Sequence, residues 1–115
     1  MVALIGFEIS ANAQVCKISE SNDNVEIISC NIIGNQVVVN VSNDSRDIGA
    51  NVTVSVTVKY SNSNGTNCGT QEVPLTGKGL SLAGKSVEIK IDIPSKSSYI
   101  PCAVSANSIT GTKCL

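Results

Sequence analysis

Residues 79–86 read GLSLAGKS, which has the spacing G-x-x-x-x-G-K-S of loops whose backbone N–H groups wrap nucleotide phosphates while the Lys reaches the outer ones. That chemistry needs a helix opening at the Lys-Ser pair, because the free N–H groups and dipole of its first turn hold the anion. The residues after Ser86 are VEIKIDIP, in which Val87, Ile89, Ile91 and Ile93 alternate with charged residues. A period of two belongs to a strand. Residues 81–85 are therefore expected to be a strand connection in which Gly84 supplies a positive φ, and no nucleotide is expected as a ligand.

Other catalytic chemistry is equally poor in residues. Histidine is absent, which removes the commonest general base and metal ligand and any Ser-His or Cys-His pair. Carboxylates remain: Glu20 and Asp23 in SESNDN and Asp44 and Asp47 in NDSRD gather acids at polar turns. Their spacing does not match a calcium loop of the EF-hand kind, and such residues are ordinary turn formers. Nine acids without a distinguishable pair, and only two Tyr and one Phe to line a sugar cleft, give no basis for glycoside hydrolysis. The expectation is a protein that is not an enzyme and takes no cofactor. A net charge of −1 with eight dispersed Lys and Arg residues also excludes a clustered basic surface for nucleic acid.

Five cysteines, Cys16, Cys30, Cys68, Cys102 and Cys114, carry the remaining reactivity. No C-x-x-C pair occurs, so neither a zinc ribbon nor a thioredoxin-like site is present. Their number in a chain of 115 residues points to an oxidising compartment, with two disulfides and one cysteine left over. Cys68 and Cys102 are the favoured internal pair, brought together at the end of adjacent strands. Cys16 and Cys114 are candidates either for a bridge joining the chain ends or for links between subunits, and Cys30 is then the odd one. Four N-x-S/T sequons, at Asn40, Asn43, Asn51 and Asn64, are possible glycosylation sites.

The elements that hold these residues are read from composition and period. Apolar residues make up 42% and charged residues 15%, enough to bury a core in one domain. Val and Ile dominate the apolar set and Ser, Asn and Thr the polar one, a β-protein composition. NVTVSVTVKY places Val52, Val54, Val56, Val58 and Tyr60 on one face and polar residues on the other, the mark of a strand with one face on a core. VEIISCNII, the turn Gly34-Asn35 and QVVVNVS read as a hairpin. TQEVPL reads as a short strand, SVEIKIDIP as another ended by Pro94, residues 19–24 as a turn, and SYIPCAVSA with SITGTKC as a terminal hairpin. The first segment also alternates, with Ala3, Ile5, Phe7, Ile9, Ala11, Ala13 and Val15 apolar and Gly6, Glu8, Ser10, Asn12 and Gln14 between them. It is expected to be an extended N-terminal strand (residues 1–15) preceding a domain of residues 16–115. The predicted fold is all-β: an Ig-like antiparallel sandwich of seven to eight strands.

LAGKS followed by an alternating strand ending in Pro, and NQVVVNVSNDSRDIGANVTVSVTVKY before it, resemble segments of extracellular Ig-like adhesion domains of bacteria and archaea. Residues 35–106 are also similar to the globular domains of archaeal surface-filament subunits. Pilins begin with a long apolar helix, which the alternating residues 3–15 do not provide, so the nearer resemblance is to archaeal threads and bundling pili, whose subunits pass an N-terminal strand to a neighbour. This implies a secreted structural subunit at the cell surface that polymerises head to tail with identical subunits. The alternative is a monomeric Ig-like adhesion or carbohydrate-binding module whose partners are glycans or cell surfaces.

Overall fold

Strict alternation in residues 51–60 sets the middle of the molecule. In the computed structural model, which describes residues 16–114, seven strands form: β1 (Cys16–Ser21), β2 (Val25–Ile33), β3 (Gln36–Asn43), β4 (Gly49–Asn62), β5 (Gln71–Ser81), β6 (Ser86–Asp92) and β7 (Tyr99–Cys114). They make two antiparallel sheets, ordered β1-β7-β4-β5 and β2-β3-β6. The molecule is thus an all-β sandwich. Its two-sheet architecture is that of an immunoglobulin-like domain, although β7 lies between β1 and β4, a strand order different from the ABED and CFG sheets of an antibody constant domain.

Core side chains come from the strands with the cleanest alternation. Val52, Val54, Val56, Val58 and Tyr60 of β4 face Val37, Val39 and Val41 of β3 together with Ile89 and Ile91 of β6, and all are buried. Full burial of a Val or Ile side chain contributes about 1.5–3 kcal/mol relative to exposure, so this two-layer seam dominates the fold. Tyr60 closes one end. Its ring is buried, its hydroxyl donates to the Pro94 carbonyl at 2.6 Å, and the Lys96 ammonium sits 5.7 Å from the ring centroid.

At the other end a buried polar cluster joins three connections. The Asn43 amide donates to the carbonyls of Ile48 (2.8 Å) and Ser81 (3.2 Å), while its oxygen accepts the Ser45 N–H at 3.0 Å. The Asn22 oxygen accepts from the Asn24 N–H and the Ser45 hydroxyl, both at 3.0 Å. Backbone groups of the turns at residues 22–24 and 44–48, which leave the sheet ladders, find partners here.

Three segments depart from the expected layout. β5 runs to Ser81 instead of ending near residue 75, because Gly77 and Gly79 face β6 within the strand. A Cβ on Gly77 would lie 2.6 Å from Ile91 Cγ1, and one on Gly79 would lie 3.0 Å from Ile89 Cγ1. The glycines mark close approach of backbone to side chain rather than a loop. The expected terminal hairpin is one strand of 16 residues, β7. Asn107 and Cys102 are extra residues at its two register shifts against β4, between Ser55 and Val56 and between Lys59 and Tyr60, and such bulges absorb the polar interruptions without a turn. The polar segment at residues 19–24 is a turn only from Asn22 on. Ser19, Glu20 and Ser21 belong to edge strand β1, where the Glu20 carboxylate meets Lys17 (3.6 Å) and Lys113 (3.8 Å).

Candidate self-assembly groove

A strand of 16 residues next to one of six leaves most of an edge without a partner among the described residues. β1 pairs with β7 only at Cys114, Lys113 and Thr112, and one further bond runs from the Asn22 N–H to the Gly111 carbonyl. Among the described residues, no strand pairs with this edge of β7 over residues 99–110. Strand β2, stacked beneath it, is likewise paired on one edge only among the described residues, with β3. The two edges lie over each other, since a Cβ on Gly111 would meet Val25 Cγ2 at 3.0 Å.

Side chains along these edges face the core yet are not covered by it. Val25, Ile27, Cys30 and Ile32 of β2 and Val104 and Ile109 of β7 pack against the core cluster but remain half-buried. Ala106 is exposed, although its partner across the ladder, Val56, is fully buried. Residues directly opposite in a ladder point to the same face. Among the described residues, the core face of the sandwich is therefore uncovered at Ala106. The opposite rim is closed: on edge strand β6, Ile89 and Ile91 are 3% and 7% exposed beneath Gly79 and Gly77.

Two cavities bracket this groove. One, of about 200 Å³, is lined by Asn22, Val25, Ile109 and Gly111 at the β1 end. The other, of about 240 Å³, is lined by Asn35, Ile93, Tyr99 and Ile100 at the far end. Neither gathers catalytic groups, and among the described residues no cluster of His, Cys, Asp or Glu has the makings of a metal site.

The cysteines are arranged around the same strand. Cys16 bridges Cys114, its direct partner in the β1–β7 register. Cys68, in the loop after β4, bridges Cys102 in the β7 bulge. Both bridges are intramolecular, so the link between subunits held open for Cys16 and Cys114 is not made. Cys30 is the free thiol. It lies half-buried in the groove wall, and burial pushes its pKa up from the ordinary value of 9.0.

The sequons divide by environment. Asn51 is exposed on the outer face of β4. Asn64 is exposed in the turn after β4, where its oxygen accepts from the Thr66 N–H and hydroxyl and its amide nitrogen is left to solvent. Asn40 is half-buried on the outer face of β3 and donates to the Ser29 hydroxyl at 2.9 Å. Asn43 is only 1% exposed, and its amide nitrogen is the hub of the polar cluster. As a glycan acceptor in the folded domain it is corrected, because its nitrogen is enclosed and already donating.

The phosphate-loop pattern is split between elements: Gly79 sits inside β5, and Gly84 has φ 68° in a turn closed by the Lys85 N–H donating to the Leu82 carbonyl. The expected assembly residues Ala3, Ile5, Phe7, Ile9, Ala11, Ala13 and Val15 lie outside the described residues. Sequence reasoning missed the groove walls on β2 and β7, since alternation identifies an inward face but not which strand lacks a neighbour. Comparison of the chain with protein-family models, curated sequences and solved structures finds no match.

Proposed function

We propose that the protein is the structural subunit of an extracellular filament, in which residues 1–15 of one subunit complete the sandwich of the next. The observation that carries this reading is the open core face along β7, where Ala106 is exposed opposite the buried Val56. The lengths agree. Residues 99–110 of β7, whose edge away from β4 has no partner among the described residues, and the alternating residues 3–15 each span about 40 Å at roughly 3.3 Å per residue. So does the chemistry, because an extended segment laid along an open edge gains main-chain hydrogen bonds while alternate side chains enter the groove. Ile5, Phe7 and Ile9 would each gain about 1.5–3 kcal/mol on burial. A contact in which one end of a subunit fits a different place on the next does not close on itself, and so it builds a fibre. The disulfides accord with an oxidising, extracellular setting.

Deletion of residues 1–12 tests this directly. The expected product is a soluble but destabilised monomer in sedimentation velocity, restabilised by a synthetic peptide of those residues, while the intact chain forms fibres in negative stain. An intact chain that stays monomeric, with its first strand paired inside its own subunit, identifies the adhesion or carbohydrate-binding module instead.

A further inference from the structure

Strand β1 runs antiparallel to β7 with Cys16 opposite Cys114, so the chain direction at Cys16 points out of the domain past the end of β7. At that same end, β1 and the turn at residues 22–24 block the groove, through the Thr112 pairing and the Asn22 bond to Gly111. The mouth of the groove is therefore at the opposite, Tyr99 end. An arm that belongs to a neighbour and enters there leads with its N-terminus toward Gly111 and runs antiparallel to β7. With residue 15 opposite Tyr99 at the mouth and Cys102 bulged out of the ladder, this sets Ile9 at the level of Ala106, the smallest inward side chain of the groove.

We infer that the Cys16–Cys114 disulfide is a mechanical shunt: tension arriving through a subunit's own arm crosses the bridge into β7 and leaves through the neighbour's arm docked on β7, bypassing β2 to β6. This rests on the strand-donation reading. In that geometry the two paired strands are drawn from opposite ends, so all their hydrogen bonds bear the load together and none is opened singly. Without the bridge, the pull at Cys16 is resisted only by the few β1–β7 pairs at residues 112–114. Beyond those pairs it must travel along the chain through every strand before reaching β7. The other disulfide, Cys68–Cys102, ties the far loop to β7 and lies off this path.

Stretching single fibres of the full chain tests the shunt. Oxidised wild-type fibres and Cys68→Ser/Cys102→Ser fibres are expected to extend without unfolding steps up to rupture. Fibres of Cys16→Ser/Cys114→Ser, in which the Cys68–Cys102 bridge still closes residues 68–102, are expected to show steps of about 180 Å, the release of roughly 50 residues at about 3.5 Å each. Wild-type fibres reduced after assembly, which lose both bridges, are expected to show steps of about 280 Å, the release of roughly 80 residues. Equal steps in oxidised wild-type fibres, or their absence after Cys16–Cys114 is lost, overturn the inference. A photocrosslinker in place of Ala13 reads polarity separately. Adducts with the neighbour's residues 99–104 support it, and adducts near residues 109–111 overturn it while leaving strand donation intact. Fibres that form equally well from a chain lacking residues 1–12 refute strand donation itself.

Discussion

Ala106 of β7 lies directly across the ladder from Val56 of β4, and the two differ in exposure: Val56 is fully buried and Ala106 is exposed. Ladder partners share a face, so the difference cannot come from one pointing inward and the other outward. It comes from the layer above each. Val56 belongs to the buried core cluster with the β3 valines, whereas Ala106 lies on β7, one strand further out on the side of β2, beyond which no further strand of the second sheet follows among the described residues.

Ala106→Asp exploits that difference. In the isolated subunit the new carboxylate stays in water, and stability is expected to change by no more than about 0.5 kcal/mol. In an assembled fibre it would be buried without a partner, which costs several kcal/mol. Sedimentation should therefore show monomer, and its thermal unfolding should match that of the chain lacking residues 1–12 rather than that of the assembled fibre. A variant that assembles as wild type refutes the role of this groove.

Cys30 offers a reading of the same surface without mutation. Its thiol is half-buried with a raised pKa, so at neutral pH it holds less thiolate than an ordinary cysteine and is expected to alkylate slowly. The rate should climb with pH to higher values than for a free peptide thiol, and should fall at least tenfold on assembly. The sign for stability is fixed by the same shift. The folded state favours the thiol, so stability held below about 9.0 is lost as pH rises from there through the raised folded value. Native protein should titrate with one thiol and reduced, unfolded protein with five, matching the cysteine count. Undiminished labelling of Cys30 in fibres places the contact elsewhere.

How far the sequence went can be seen strand by strand. β4 was legible because each of its inward residues is apolar and each outward one polar, and the β2–β3 hairpin because Gly34-Asn35 marks its turn. β5 was cut short because Gly77 and Gly79 read as loop, and only the position of Ile89 and Ile91 explains why a strand needs them. β7 was broken in two because Ser105, Asn107 and Ser108 resemble a turn, whereas a bulge at Asn107, whose amide donates to Thr57 at 2.8 Å, carries the strand through. The groove itself was not legible. An edge is a property of strand order, and strand order is set by contacts distant in sequence.

The glycines and the lysine of residues 77–86 separate packing from ligand binding. Gly77→Ala forces a methyl against Ile91 and Ile89 at 2.6–2.8 Å, an overpacking expected to cost about 1–3 kcal/mol. Lys85→Ala, in an exposed turn, should change stability by no more than about 0.5 kcal/mol. Chemical denaturation of both variants, with and without ATP, checks this. ATP should protect neither variant nor the wild type, and saturable protection lost in Lys85→Ala would restore the phosphate loop.

Asn43 and Asn64 share a sequon but differ in what the amide nitrogen faces, and the contrast can be read on one sample. At Asn43 the nitrogen donates to Ile48 and Ser81 and the oxygen accepts from Ser45. Asn43→Ala leaves those buried groups without partners and is expected to cost about 1–3 kcal/mol. At Asn64 only the oxygen is engaged, by Thr66 across an exposed turn, so Asn64→Ala should cost no more than about 0.5 kcal/mol. Glycan attachment requires a nitrogen that an enzyme can reach. In material from a host that modifies sequons, peptide mapping should therefore find sugar at Asn64 or Asn51 and none at Asn43. Sugar on Asn43 of folded, assembled protein would mean that the polar cluster joining the three connections does not form as described.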